Sequence, residues 1–262
     1  MRIAQVSPLF ESVPPKLYGG TERVVAYLTE ELVRQGHEVT LFASGDSRTS
    51  ARLVATVDRA LRLDAECLDP LAHQIVQLHE VFAQAHRFDV IHFHIDYLHY
   101  PFSAQQKTPF VTTLHGRLDL PDLQPVYRAF PDAPLVSISD AQRLPLDANL
   151  NWWATVHHGL PKQLLKFNPH GGAYFAFLGR ISPEKRLDRA IAIARALETP
   201  LKVGAALSMS EALSSRSPAA ITRLVSSVAV AVSSVVVGAS LTQVMSIVTC
   251  AVAVPPALST IV

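Results

Sequence analysis

Apolar positions come along this chain in short runs that alternate with helical stripes. Ile3–Ser7 is a short apolar run ended by Pro8, the pattern of a buried strand. A loop with Pro8, Pro14 and Pro15 closes at Gly19-Gly20. Thr21 then opens a helix in which Val24, Val25, Leu28, Leu32 and Val33 recur at helical spacing, with Gly36 as its stop. Glu38–Ala43 is the next strand. Such a βαβ unit predicts a parallel sheet with helices on both faces. The alternation continues with a helix over Leu71–His86, carrying Leu71, Ile75, Leu78 and Phe82 on one stripe. Short strands follow at Val90–Ile95, Phe110–Leu114, Leu135–Ile138 and Thr155–His157.

After Gly159 the pattern lapses, and Pro161, Pro169, Gly171 and Gly172 predict a linker over 161–172. It divides a doubly wound domain of residues 1–160 from a second unit starting at 173. There Tyr174–Leu178 reads as a buried strand. Ser182 is a good helix N-cap and Pro183 suits the first helical position. Leu187, Ile191, Ala194 and Leu197 repeat at helical spacing, and Leu201–Gly204 starts another strand. The second α/β unit, 173–204, is therefore begun and not completed before the sequence changes character.

That change is compositional. Residues 1–202 hold 42 of the 45 Asp, Glu, Lys and Arg residues; the last 60 hold Glu211, Arg216 and Arg223. Val, Ser and Ala supply 36 of those 60 positions, and 224–262 carries no charge. Three readings of the atypical tail, 205–262, stand: an out-of-frame continuation, a membrane-associating segment, or an unusual domain ending. The length of 224–262 allows a membrane helix. Its frequent Ser and Thr, and few cationic or aromatic anchors, speak against one.

Charge narrows the function classes. The net charge is +1, with 21 basic and 21 acidic residues balanced over 1–202, so no basic field exists for nucleic acid. Cys67 and Cys250 are too few for a disulfide framework or a zinc cluster and fit a reducing compartment. The run Ile3–Val6 is too short for a signal-peptide core. The expected location is the cytoplasm, with attachment to the inner face of a membrane as the variant.

Three constellations could carry chemistry. Tyr18-Gly19-Gly20-Thr21-Glu22-Arg23 joins the first strand to the first helix, where glycines admit a phosphate to the backbone and free N–H groups favour an anion. A plain glycine turn before a capped helix fits the same residues, and the dinucleotide fingerprint G-x-G-x-x-G is absent. Gly179-Arg180-Ile181-Ser182-Pro183-Glu184-Lys185-Arg186 sets Arg180 and Lys185 beside a helix start, a pair suited to a diphosphate. First turns ordinarily favour acids, which weakens the reading of those cations as plain surface charge. His92 and His94 share one face of a strand. With Asp96, His99 and His115 near, no recognised metal spacing results, and no metal is expected. His115-Gly116 ends a strand where ligands bind, so His115 is either a ligand or proton-transfer group or a satisfied structural histidine. His94 and Asp96 are candidate acceptor or sugar contacts. No G-x-S-x-G elbow is present.

Taken together, these residues resemble the GT-B glycosyltransferases of family 4. The matching pieces are Met1-Arg-Ile-Ala-Gln-Val-Ser-Pro8, Tyr18-Gly-Gly-Thr-Glu-Arg23, Arg34-Gln-Gly-His-Glu-Val-Thr-Leu-Phe-Ala43, Phe88-Asp-Val-Ile-His-Phe-His94, Thr113-Leu-His-Gly116 and Phe177-Leu-Gly-Arg-Ile-Ser-Pro-Glu-Lys185. The resemblance covers about residues 1–204. It implies two doubly wound domains and retaining transfer of a sugar from a nucleotide diphosphate-sugar to a hydroxyl of a glycan, lipid or small-molecule acceptor, without a cofactor or bound metal. By that likeness Gly19 and Gly20 approach the donor phosphates or sugar, His115 contacts the transferred sugar, and Arg180 and Lys185 hold the diphosphate. The family's second domain also carries two Glu seven residues apart with a Pro-Phe-Gly segment. Here Glu211 is the only Glu after 203, so the resemblance implies an impaired donor site.

Overall fold

The computed structural model describes residues 1–16, 18–164, 169, 172–179, 181, 183–205 and 246–249. The chain forms two compact units, Met1–Leu165 and Lys166–Val262. In the first, β1 (Arg2–Val6), α1 (Gly20–Arg34), β2 (Glu38–Phe42) and β3 (Arg52–Val54) come before α2 (Pro70–Ala83) and β4 (Val90–Phe93). Then follow α3 (Tyr100–Ser103), β5 (Phe110–Thr113), α4 (Leu123–Ala129), β6 (Leu135–Ser137), α5 (Asp140–Arg143) and β7 (Trp152–Thr155). All seven strands are parallel, in the order β3-β2-β1-β4-β5-β6-β7. This is the doubly wound, Rossmann-like sheet expected of the first 160 residues. Its winding reverses between β1 and β4, which opens a crevice at their carboxyl ends.

Both faces of the sheet are covered, which is why its strands read as apolar runs rather than alternations. Leu41 of β2 packs with Val13 and with Val25 and Ala26 of α1. Its neighbour Phe42 points to the other face and joins Leu78 and Val81 of α2, Ile91 and Phe93. A third cluster, around Tyr100, Leu114, Tyr127 and Leu135, fills the β5–β6 side. Helix α1 stops where expected. Gly36 sits at φ 85, and the Gly36 and His37 amides return to the Val33 and Leu32 carbonyls.

Several expectations need correction. The stripe of α2 does not face the core throughout: Leu71 and Ile75 are 53% and 42% exposed, and the buried face is Gln74, Gln77, Leu78 and Val81. The helix runs back across the sheet from its carboxyl edge. Its first turns, capped by the Asp69 carboxylate on the Leu71 and Ala72 amides, therefore lie beyond the apolar core. There Gln77 Nε2 donates to the Ser7 carbonyl at 3.1 Å. Strand β7 lies earlier than Thr155–His157, because Trp152–Thr155 pairs with β6 across a register shift at Leu135/Val136. His157 and His158 are thereby left past the strand end. The three-residue β3 on the sheet's edge is too short to show a pattern.

In the second unit β8 (Phe175–Gly179) pairs parallel with β9 (Leu201–Ala205), and β10 (Ser246–Thr249) joins β9 antiparallel. Helix α6 (Leu187–Ala196) packs Leu187, Ala190, Ile191 and Ala194 on Phe177, Leu201 and Val203. Strand β8 is thus not buried on both faces, and Leu178 is 72% exposed. The helix expected from Pro183 is broken: Pro183–Lys185 is a single 3₁₀ turn, and Arg186 at φ 54 separates it from α6. Ser182 lies outside the described residues. So does the tail, apart from the last residue of β9 and the backbone of 246–249, and with it the three readings of 205–262. Among the described residues no helix is long and apolar enough to cross a membrane.

Candidate functional site

The crevice between β1 and β4 widens into a cleft of about 450 Å³. It is built by the segments leaving β1, β4, β5 and β7, by the first turn of α1, by Gln74 of α2 and by Arg62. Gly19, Gly20, His94, Asp96 and His115, expected to be functional from sequence, all line it. Lys185 is exposed on the 3₁₀ turn of the second unit, and Arg180 lies outside the described residues.

The two glycines differ. A Cβ on Gly19 would lie 2.7 Å from Pro15 Cβ and 2.9 Å from Glu22 Oε2, so packing alone requires glycine there. A Cβ on Gly20 would meet nothing within 4 Å. Gly20, the first residue of α1, therefore faces open cleft.

The charge around this helix start is acidic. Glu22 is only 4% exposed, and burial raises its pKa to about 7 against the opposing pull of backbone N–H groups and Arg62. Glu11, behind it, is 2% exposed and pairs with Arg62 at 3.4 Å. Burial raises the Glu11 pKa too, Arg62 opposing. The Arg62 guanidinium is flanked by the rings of Tyr18 and Phe10, at 5.7 and 6.0 Å. Asp96 sits at φ 51, a left-handed conformation that Asp tolerates better than most residues, and burial raises its pKa as well. A phosphate here would face three carboxyls with one committed guanidinium to offset them. Hydroxyl groups would find acceptors. Gln74 Oε1 and Asp96 Oδ1 are buried and lack a hydrogen-bond partner in the protein, the condition of groups that await a ligand or water.

The imidazoles form a continuous chain. Gln5, buried in the middle of β1, places Oε1 at 2.7 Å from His94 Nε2. His94 Nδ1 lies 2.8 Å from His115 Nε2, and His115 Nδ1 lies 3.1 Å from His158 Nε2. A branch runs from Gln5 Nε2 to His92 Nδ1 at 3.4 Å and from His92 Nε2 to Thr113 Oγ1 at 2.8 Å. Burial keeps these rings neutral: it lowers His92 to about 4 and His115 to about 3, and drives His94 well below the ordinary value, with the neighbouring imidazoles adding to the effect on His94 and His115. The nitrogens bond one another, and among the described residues no three His, Cys, Asp or Glu are grouped to hold a metal ion.

Glu11, Glu22, Arg62, Gln74 and His158 were not singled out from the sequence. His158 carried a usable signal: His158-Gly159 follows a strand just as His115-Gly116 does. Gln74 carried none, since it lay on the side of α2 that its apolar spacing did not mark.

A parallel, doubly wound sheet with a hydroxyl-lined cleft at its winding reversal defines the class: a Rossmann-like α/β protein with its site at the carboxyl edge. The chain belongs to Glycosyltransferase Family 4, whose sequence profile matches residues 18–201. Among solved structures it is similar to AviGT4, a glycosyltransferase involved in avilamycin A biosynthesis. That match has a TM-score of 0.53 at 20% identity and covers 87% of this chain and 61% of that one, a likeness of GT-B fold. A glycosyltransferase from Rickettsia africae aligns with a TM-score of 0.48 at 14% identity, over 86% of this chain and 64% of that one. MurG of Acinetobacter baumannii aligns with a TM-score of 0.41 at 12% identity, over 77% and 59%. This chain thus spans about three fifths of the length of these structures. No curated protein matches it significantly.

Proposed function

We propose that this protein handles a nucleotide diphosphate-sugar and an acceptor hydroxyl in a retaining glycosyl transfer, with the two halves of the donor held by different units. The observation that carries the reading is the acidic, imidazole-lined cleft of the first unit, in a chain of this family. Carboxyls and neutral imidazoles suit sugar hydroxyls, and Phe10 and Tyr18 offer apolar ring faces. Of the two roles expected for Gly19 and Gly20, approach to the sugar is favoured over approach to the phosphates. The diphosphate falls to Arg180 and Lys185, whose cations would stabilise charge on the leaving group without a metal. Glu22 and Asp96 would accept hydroxyl protons as hydrogen bonds, and Gly20 would let the sugar lie against the start of α1. The acceptor is a glycan, lipid or small molecule. The expected place of action is the reducing cytoplasm, at or near a membrane's inner face.

Turnover is expected to be weak. Residues 203–262 offer Glu211 as their only carboxylate side chain for the donor's hydroxyls. A second reading, a glycan-binding protein without catalysis, is favoured by the same fact, because the first-unit cleft is built wholly within residues 1–165. Equilibrium dialysis of the full chain against UDP-glucose, GDP-mannose and ADP-glucose separates them. Saturable donor binding supports transfer. Saturable binding of free oligosaccharide, with no donor binding, supports the second reading.

A further inference from the structure

We infer that His158, rather than His115, is the imidazole that meets the bound ligand, and that His158 Nδ1 accepts a hydrogen bond from a ligand hydroxyl. The identity of that ligand rests on the glycosyl-transfer reading; the polarity of the imidazoles does not. Both nitrogens of His115 are occupied, one by His94 at 2.8 Å and the other by His158 at 3.1 Å. A neutral imidazole has one N–H and one lone pair. His115 therefore has nothing left to offer a sugar without breaking the chain.

The polarity of the chain follows from its buried end. Gln5 Oε1 can only accept, so His94 Nε2 carries the proton. His94 Nδ1 is then a lone pair that accepts from His115 Nε2–H. His115 Nδ1 accepts in turn from His158 Nε2–H. What remains at the end is the lone pair of His158 Nδ1, which has no printed partner among the described residues, on an exposed residue lining the cleft. The branch agrees in sense: Gln5 Nε2–H donates to His92 Nδ1, and His92 Nε2–H donates to Thr113 Oγ1. The low proton affinity of the buried rings keeps each of them singly protonated, so the order holds from β1 to the rim. Gln5 cannot take up a proton and pass it on, so the chain does not conduct protons to a second surface. Its effect is to fix which nitrogen His158 turns outward. His115 and Gln5 are positioning residues, and a hydroxyl is the group that the outward lone pair selects.

Long-range ¹H–¹⁵N spectra of the full chain at neutral pH, without ligand, read the polarity. His94, His115 and His158 are expected as Nε2–H tautomers, and Gln5→Met is expected to leave His158 a mixture. An Nδ1–H tautomer at His158 in the unsubstituted chain overturns the inference. The ligand contact is read with UDP-glucose, GDP-mannose and ADP-glucose on the His158→Gln variant. The shorter amide can still donate to His115 Nδ1 but does not reach the ligand. An unchanged thermal midpoint, with binding of the preferred probe weakened about tenfold, supports the contact, since one net hydrogen bond is worth about that factor. Binding by the unsubstituted chain that His158→Gln leaves intact overturns the contact while sparing the glycosyl-transfer reading. No binding of any probe by the unsubstituted chain overturns that reading and the ligand contact together.

Discussion

Glu22 is a carboxyl that the fold keeps half protonated near neutrality. Its pKa is about 7, above the ordinary 4.5, so the folded chain holds this proton more tightly than the unfolded one. Its contribution to stability is full below about 4.5 and is lost as pH rises through about 7. The buried imidazoles act in the opposite sense. His92, His94, His99 and His115 lie below the ordinary 6.5, so their contribution is present above that value and lost as pH falls. Urea unfolding of Glu22→Gln should therefore gain on the parent chain between about pH 5 and about pH 8, while both lose stability as acid charges the histidines. The paired glycines give a second residue-scale prediction. Gly19→Ala should cost about 1–3 kcal/mol through overpacking against Pro15 and Glu22. Gly20→Ala should leave the thermal midpoint within about 2 °C and weaken only ligand binding. Sequence could mark both glycines but could not separate them, because the difference lies in what each would touch.

At the scale of elements, α2 tests how the helix sits over the sheet. Leu78→Ala should cost about 2–5 kcal/mol, as a buried leucine does. Leu71→Ala and Ile75→Ala should each stay within about 1 kcal/mol, although all three share one spacing in sequence. Chemical denaturation of the three variants decides the matter. The strands at Ile3, Glu38, Val90, Phe110 and Leu135 were legible because a sheet covered on both faces writes itself as short apolar runs. The α2 face was not, because spacing reports a helix's apolar stripe but not how far its ends overhang the sheet. The histidine chain was half legible. Spacing placed His92 and His94 on one face, and strand ends flagged His115. That Gln5, His94, His115 and His158 fall in line depends on the order β1-β4-β5-β6-β7, which no local pattern states.

At the scale of the molecule, the chain sets an acidic, hydroxyl-suited cleft in one unit and leaves the diphosphate to cations of the other. The near-absence of acids after 203 makes donor recognition the step most exposed to failure. Donor binding by the full chain is the most direct test of the glycosyl-transfer reading. Calorimetric titration with UDP-glucose, GDP-mannose and ADP-glucose should give saturable binding of at least one, weakened about tenfold or more by Lys185→Ala, a charge-assisted contact. Free glucose or mannose should compete for the same chain only weakly. If none of the three binds, or if the binding that appears is indifferent to Lys185→Ala, the division of the donor between the two units is contradicted.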